Sequence, residues 1–311
     1  MVKNGANIQV PSERNSDLAE VGPWAREKLG ALKLYLEYYT TALKNKRWRK
    51  IYVDAYAGGG RAVLRKSSVK FTANDGMVLF DDVADGENIE FIDGSPRVAL
   101  QLQNPFDRYV FIEPDKRRFE ELRQLKSEFF GKRTIDLLNC SSSEGISWLL
   151  SKNLRRSTHR GVVFLDPFGA DLPWSVVQRI GRTEMFEAVI NFPLPMAIVR
   201  MLPNDGRVPE AWASRLNAFF GTSSWKDAVY QKNSEQLFEF PELVKIKDYD
   251  RKLLDLYISN LKLEYKNVAS PRLIRNTKGT ALYYLLWAGR HPLGLKGADH
   301  ILKMGERVAI R

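Results

Sequence analysis

The stretch from Ile51 to Gly60 constrains the fold of this chain more than any other. It reads Ile-Tyr-Val-Asp-Ala-Tyr-Ala-Gly-Gly-Gly, so a run of strand-forming residues reaches Asp54 and then passes into three consecutive glycines. Glycine has no Cβ and adopts positive φ at little cost, so such a turn lets the backbone approach a ligand closely. Open parallel sheets bind ligands at the carboxyl ends of their strands, and the pattern predicts that Asp54 stands at that edge.

Two common glycine-rich loops do not fit this stretch. No Gly-Lys-Ser or Gly-Lys-Thr follows the glycines, which argues against the phosphate loop of an NTPase. Val63 stands where a dinucleotide-binding fingerprint has its third small residue, which disfavours NAD or FAD. The pattern Asp-x-x-Ala-Gly-Gly-Gly instead resembles motif I of class I S-adenosylmethionine (SAM) methyltransferases.

The rest of the chain alternates between helical and extended patterns. An amphipathic helix is expected to open at Pro23, and a helix over 295–304 is expected to close the chain. Alternation of this kind predicts an α/β protein with a largely parallel sheet. By the resemblance, the fold is the Rossmann-like fold of class I methyltransferases: seven mostly parallel strands, helices on both faces, and a terminal antiparallel hairpin. The strands after the glycine loop are predicted at 109–113, 134–139, 161–165, 186–191, 271–274 and 281–286.

The predicted domain organisation is a tail followed by one large domain. Residues 1–22 are polar and aperiodic, as is typical of a loosely docked tail, and residues 23–311 form the methyltransferase-like domain. The segment from about 61 to 93 is longer than a βαβ unit requires, which predicts an inserted loop or lid. The segment from about 205 to 260 is helical in pattern and rich in aromatic residues, which predicts a helical insertion.

The charge of the chain favours an anionic partner. The formal net charge is +11, and the sequence pI is about 9.6, so nucleic acid is the first candidate. Two basic segments are the predicted phosphate contacts, because phosphate neutralisation by Lys and Arg dominates nucleic-acid affinity. Their residues are Lys46, Arg47, Arg49 and Lys50 in the first segment, and Arg155, Arg156 and Arg160 in the second.

Several classes of protein are disfavoured by composition. The single cysteine, Cys140, allows neither an internal disulfide nor a cysteine-based metal cluster, and the three histidines lack metal-ligand spacing. No metal site is therefore predicted. The longest apolar run, 281–289, is far shorter than the roughly 20 residues of a membrane span. We expect a soluble, cytoplasmic protein.

Four acidic or amide residues follow successive predicted strands, namely Asp54, Glu113, Asn139 and Asp166. Because a ligand lies across the carboxyl edge of such a sheet, each strand offers one terminal side chain to it. By resemblance to the methyltransferases, Asp54 and the glycine backbone would hold the methionine moiety of SAM. Glu113 would accept hydrogen bonds from the ribose hydroxyls, and Asn139 would contact the adenine amino group. The other residues expected at the cofactor are Ala55, Tyr56, Gly58, Gly59, Gly60, Pro114, Cys140 and Asp166.

The tetrapeptide Asp166-Pro167-Phe168-Gly169 is the most informative segment for predicting the reaction. It resembles the Asp/Asn-Pro-Pro-Tyr/Phe motif of enzymes that methylate exocyclic amino groups of nucleobases, and more closely the Asp-Pro-Phe-Gly of tRNA guanine-N2 dimethyltransferases. In such sites the carboxylate and the proline carbonyl accept hydrogen bonds from the amino group, and an adjacent aromatic ring stacks on the extruded base. Asp166, Pro167 and Phe168 are therefore the predicted catalytic residues. Cys140 is disfavoured as a nucleophile, because no Pro-Cys occurs near the fourth strand.

Taken over nearly its full length, the chain resembles the three-Cys-motif partner proteins. The matching segments include Gly22-Pro-Trp-Ala-Arg-Glu-Lys-Leu, the glycine loop, Phe111-Ile-Glu-Pro-Asp115 and Arg290-His-Pro-Leu-Gly294. That family is methyltransferase-like and is named for a neighbouring three-cysteine protein, expected to carry an iron-sulfur cluster. Three functions follow: an amino-group methyltransferase acting on DNA or RNA, a SAM-binding partner of an iron-sulfur protein with little activity of its own, or a small-molecule methyltransferase.

Overall fold

The computed structural model describes residues 20–64, 91–232 and 242–307. Apolar strands alternate with amphipathic helices through most of this length, as the sequence pattern predicts. The strands are β1 (Glu20–Val21), β2 (Arg49–Asp54), β3 (Arg61–Leu64), β4 (Phe91–Asp93), β5 (Arg108–Ile112), β6 (Ile135–Leu138), β7 (His159–Leu165), β8 (Phe186–Phe192), β9 (Tyr230–Lys232), β10 (Leu243–Lys245), β11 (Asn267–Val268), β12 (Arg272–Arg275), β13 (Ala281–Gly289) and β14 (Glu306–Arg307).

Most of the helices begin with a proline or a capping side chain, which satisfies or removes N–H groups left free at a helix start. Ser141 and Glu144, for example, form a capping box. A π-helical turn over Leu194–Ile198 and a 3-10 turn over Val199–Met201 follow β8. The α-helices are α1 (Trp24–Ala42), α2 (Ser95–Leu100), α3 (Lys116–Glu128), α4 (Ser142–Leu150), α5 (Trp174–Arg182), α6 (Glu210–Phe220), α7 (Trp225–Val229), α8 (Tyr249–Tyr265) and α9 (Pro292–Leu302).

The central sheet has the strand order β14-β12-β13-β8-β7-β2-β5-β6, with β11 paired to β13. Strands β6, β5, β2, β7 and β8 are mutually parallel, whereas β13 runs antiparallel between β8 and β12. This is the Rossmann-like fold of class I methyltransferases, and the predicted terminal hairpin is β12 and β13. The short strands β11 and β14 are additions to the predicted seven-stranded sheet.

The sheet is buried on both faces because its strands are apolar at nearly every position. Tyr52 and Val53, which are consecutive in β2, belong to two different hydrophobic clusters and are both fully buried. Helices α1, α2, α3 and α9 cover the face that carries Tyr52, and helices α4 to α8 cover the other. A parallel strand covered on both faces in this way reads as a continuous apolar run, which is why the sequence marks these strands clearly.

Short strands occur in two segments for which the sequence pattern predicted none. Glu20–Val21 lies within the predicted tail but forms β1, which pairs in parallel with β3. The predicted helical insertion contains α6, α7 and most of α8 but also the antiparallel pair β9 and β10. Of the predicted lid, the structure describes β3 and β4, which pair with each other. Residues 1–19, 65–90, 233–241 and 308–311 lie outside the described parts of the chain.

Among the described helices, none is both long enough and apolar enough to span a lipid bilayer.

Candidate cofactor and substrate site

The glycine loop follows β2 at the carboxyl edge of the sheet. Gly58 and Gly60 have φ values of +62° and +83°, a region that costs other residues energy. The Ala57 N–H donates to the Ile112 carbonyl at 3.0 Å, and the Gly94 N–H donates to the Gly60 carbonyl at 2.8 Å. The loop is thus held from both ends. A β-carbon on Gly58 would meet no atom within 4 Å, so open space lies in front of this residue.

Glu113 lies directly beside the loop. Its Oε2 accepts the Gly58 N–H at 2.8 Å, and its Oε1 accepts the Asp115 N–H at 3.0 Å. The Asn139 amide donates to the carbonyls of Glu113 at 2.8 Å and Pro114 at 3.1 Å. The structure therefore brings four of the predicted cofactor residues, Gly58, Glu113, Pro114 and Asn139, into one network. Each carboxylate oxygen of Glu113 keeps a second lone pair that can accept a hydroxyl donor.

Asp54 is fully buried beneath the loop. It accepts hydrogen bonds from the Tyr56 N–H and the Tyr52 hydroxyl, both at 3.3 Å, and from Ser95 at the start of α2. Burial raises the pKa of Asp54 to about 7, and the nearby charge of Asp166 adds to that rise, while the Ser95 hydrogen bond opposes it. Asp54 supports the loop and places a titratable carboxyl group under it.

The remaining predicted cofactor residues connect the loop to its surroundings. The Ala55 N–H donates to the Phe164 carbonyl at 3.1 Å. The Tyr56 hydroxyl donates to the Asp171 carbonyl at 2.9 Å and accepts from Ser142 at 3.0 Å. Cys140 is half-buried, and burial raises the pKa of its thiol, with a further rise from Glu144. A raised pKa favours the protonated thiol, which is the less reactive form of cysteine.

Asp166 follows β7 and joins three elements. Its Oδ1 accepts the Asn191 side-chain N–H at 2.6 Å, and its Oδ2 is ion-paired with Lys28. Pro167 is buried, whereas Phe168 is 84% exposed. The exposed ring beside this turn is a candidate stacking surface for a flat base.

Sequence reasoning did not assign Lys28 or Asn191 to the site. Lys28 lies off the apolar stripe of α1, so its pattern indicates a solvated position, yet its side chain is only 14% exposed. Asn191 is a polar residue at the end of the apolar strand β8, and that contrast is a signal that was present in the sequence. No feature of the sequence pointed to Tyr283, whose ring centre lies 5.6 Å from the Lys28 ammonium.

The two basic segments meet, but at the opposite edge of the sheet. Lys50 is in register with Arg160 across β2 and β7, and the Arg160 guanidinium lies 4.5 Å from the Trp48 ring centre. These are the amino ends of both strands. Arg160 and Asp166 are six residues apart in extended chain, or about 20 Å at roughly 3.3 Å per residue. The basic surface comprises Lys46, Arg47, Arg49, Lys50, Arg155, Arg156 and Arg160.

Some of these cations already have protein partners. Arg156 is ion-paired with Glu184, and the Lys50 ammonium lies 3.9 Å from a carboxylate oxygen of Asp107. The guanidinium of Arg160 donates to the backbone carbonyls of Arg156 and His159. The surface is therefore positive but partly engaged in holding the strand ends together.

Comparison with known proteins gives similarity in structure only. No family model and no curated protein sequence matches the chain. Protein LPL1258 from Legionella pneumophila is 11% identical, with 90% of this chain and 94% of that one covered, at a TM-score of 0.47. Trm1 from Pyrococcus horikoshii, solved with S-adenosyl-L-methionine, is 10% identical over 87% of this chain and 57% of that one, at 0.39. Spermidine synthase from Thermotoga maritima is 10% identical. The match covers 88% of this chain and 62% of that one, at a TM-score of 0.42.

The fold described above therefore rests on the hydrogen-bonded strand order of this chain itself. The resemblance to three-Cys-motif partner proteins stays a prediction, since no family model matches.

Proposed function

We propose that this protein is a SAM-dependent methyltransferase that modifies an exocyclic amino group of a nucleobase in DNA or RNA. The observation that carries the proposal is the juxtaposition at one sheet edge of the glycine loop, Glu113 and the Asp166-Pro167-Phe168 turn. The first two fit a cofactor with ribose hydroxyls, and the turn fits an amino group on a flat ring.

The residues present fit SAM at the glycine loop. The open space before Gly58 suits a ligand that approaches the backbone, and Glu113 presents acceptor oxygens beside it. We assign the methionine end to the loop above Asp54, the ribose to Glu113, and the adenine to the surroundings of Asn139 and Cys140. When bound, SAM supplies an electrophilic methyl group on a sulfonium.

Asp166 would act on the target nitrogen. The lone pair of an exocyclic amine is delocalised into the ring, and an acceptor that draws the nitrogen toward tetrahedral geometry makes it available. In such a transfer the nitrogen lone pair would form the new N–C bond and the electron pair of the broken C–S bond would stay on sulfur. The surplus proton would leave the nitrogen for water. Asp166 and the Pro167 carbonyl would accept the N–H groups, and Phe168 would stack on the base.

The test is transfer of label from SAM to nucleic acid taken from cells that lack the gene, followed by mass analysis of the nucleosides. We expect one new methylated nucleoside with the wild type and none with Asp166→Ala, while SAM affinity stays within about threefold, as for an interaction made chiefly in the transition state. Asp136→Ala is the matched control, because Asp136 is ion-paired with Arg108 at 2.6 Å on β6. Full turnover by folded Asp166→Ala would overturn the amino-methylation mechanism.

A second candidate function is a SAM-binding partner of a three-Cys-motif iron-sulfur protein. What supports it is the resemblance of nearly the full length of the chain to three-Cys-motif partner proteins. It predicts SAM binding without transfer to any nucleic acid in the same assay. Small-molecule methylation, the third candidate, has less support, because the charge of +11 suits a polyanion better.

A further inference from the structure

The first turn of α1 lies over the substrate side of the candidate site. It is anchored there by two consecutive residues that contact distant strands. The Glu27 carboxylate accepts two hydrogen bonds from Arg272 of β12, at 2.6 and 3.0 Å, and Lys28 is ion-paired with Asp166 after β7. The Lys28–Asp166 pair is largely shielded from solvent, with side chains that are 14% and 22% exposed. In the other pair Arg272 is 11% exposed, but Glu27 is 39% exposed.

Asp166 is held at both of its oxygens. An ionised carboxylate only accepts hydrogen bonds, so Asn191 must present its NH₂ group to Oδ1, while the Lys28 ammonium contacts Oδ2. Two donors from two different elements fix the plane of the carboxylate. The arrangement leaves the Asn191 carbonyl oxygen buried with no hydrogen-bond partner within the described residues. A buried polar atom without a partner is costly, and here the cost falls on the side chain that donates to Asp166.

The negative charge of the acidic groups around Asp166 also requires a compensating cation, because the site is shielded from water. Asp54 and Asp166 are two acidic groups close enough to influence one another, and Asp54 is fully buried. The Tyr283 hydroxyl, on β13 beside Lys28, is buried and supplies no hydrogen bond to the pair. The Lys28 ammonium is therefore the group that compensates a carboxylate in a site shielded from water.

We infer that Lys28 is a positioning residue for the proposed methyl transfer: together with Asn191, it holds Asp166 in the orientation that accepts the target amine. The inference rests on the proposed function and deepens it, because it adds a group from α1 to a site otherwise built from strand ends. Each oxygen of Asp166 retains a lone pair for the amine after these contacts are made. A carboxylate free to rotate would instead present its acceptor in the wrong direction for much of the time.

The experiment measures label transfer from SAM to the same nucleic-acid pool with purified variants, at varied substrate concentration. Lys28→Met should lower kcat about 100-fold, the loss expected when a reacting group is misplaced by about 1 Å. The KM for SAM should stay within about threefold. Lys28→Arg should recover most of the loss, because a guanidinium can replace the ammonium as donor and charge. Asn191→Ala, which removes the second donor, should also lower kcat.

Glu27→Ala separates positioning from anchoring. It removes the neighbouring ion pair of the same helix turn and leaves the Lys28–Asp166 contact in place. We expect melting temperature to fall in Glu27→Ala with kcat unchanged. Equal loss of kcat in Glu27→Ala and Lys28→Met, or a Lys28→Met kcat within threefold of wild type, would overturn the inference and leave the proposed function intact. Absence of transfer by the wild type would overturn both.

Discussion

The Gly58 N–H donates to Glu113 Oε2 at 2.8 Å, which joins the glycine loop after β2 to the end of the neighbouring strand β5. The two residues are 55 positions apart, and their contact makes the loop and the acidic strand end one unit. In the proposed site, a ribose would bind to a carboxylate already oriented by the loop that holds the rest of the cofactor. A substitution in the glycine loop and a substitution of Glu113 should therefore both weaken binding of the cofactor.

Glu113→Ala should weaken binding of SAM and of its demethylated product by about tenfold to a hundredfold. Loss of charge-assisted hydrogen bonds from hydroxyl groups corresponds to about 1.5 to 3 kcal/mol. Calorimetric titration measures this directly. Glu120→Ala is the control, since Glu120 is an exposed acid on α3 paired with Arg123. Unchanged affinity in Glu113→Ala would show that the ribose binds elsewhere.

Gly58→Ala should lower cofactor affinity much more than it lowers stability. A β-carbon there meets no protein atom within 4 Å, so the cost to folding is the positive φ alone, about 1 kcal/mol. The same β-carbon would occupy the space assigned to the ligand. Gly131→Ala is a matched control, because Gly131 has φ +71° with equally open surroundings in the loop between α3 and β6. Equal affinity in the two variants, at equal loss of melting temperature, would contradict the assignment.

SAM affinity should depend on pH through Asp54. Burial raises the pKa of this carboxyl to about 7, so it is about half ionised at neutral pH. A cofactor with net positive charge bound above it favours the ionised form, so affinity should rise as pH increases from 6 to 8, by up to about tenfold. Asp54→Asn should bind with little pH dependence over the same range. Affinity independent of pH in the wild type would place the positive charge away from Asp54.

Glu187 should make the fold less stable as pH rises. Its carboxylate accepts a hydrogen bond from the hydroxyl of Tyr35, a residue of α1. Burial raises the pKa of Glu187 from 4.5 to about 7, although that hydrogen bond opposes the rise. The folded state then holds a proton that the unfolded state has lost. The stability that Glu187 contributes is therefore fully present below about pH 4.5 and is lost as pH rises through 7.

Glu187→Gln should remove this contribution. Between pH 5 and pH 8 the variant should lose roughly 2 kcal/mol less unfolding free energy than the wild type, measured by urea denaturation. An equally steep loss in both proteins would show that Glu187 ionises normally.

Charge reversal at the basic surface should change nucleic-acid binding but not the chemical step. In Lys46→Glu/Arg47→Glu protein, affinity and its salt dependence should both decrease, because fewer counterions are released from phosphates. Because this surface lies about 20 Å from Asp166 by strand length, kcat at saturating substrate should stay within about twofold. The measurement is binding to single-stranded and double-stranded DNA and RNA at several salt concentrations. Binding that does not respond to salt would contradict a polynucleotide substrate.

The strands and the loop that form the candidate site could be predicted because their sequence signals are local. A parallel strand covered on both faces must be apolar along its length, so the polar residue that ends the run marks the carboxyl edge. Asp54, Glu113, Asn139 and Asp166 each end such a run, and parallel pairing brings all four to one edge. The helices around them could be predicted from the spacing of their apolar residues and from capping residues such as Ser141.

The partners of those residues were decided by the tertiary structure. Lys28 lies off the apolar stripe of its helix, and only the packing of α1 across the sheet places its ammonium against Asp166, 138 residues away. The two basic segments were correctly recognised as charged, but strand pairing assigns them to the amino edge, remote from the turn at Phe168. The sequence by itself determined the strands of the sheet, the acidic residues that end them and the glycine loop. Each of these depends on the burial or the backbone conformation of neighbouring residues in the chain. Which cation faces which carboxylate depends on contacts between distant segments, and these exist only once the layers have packed.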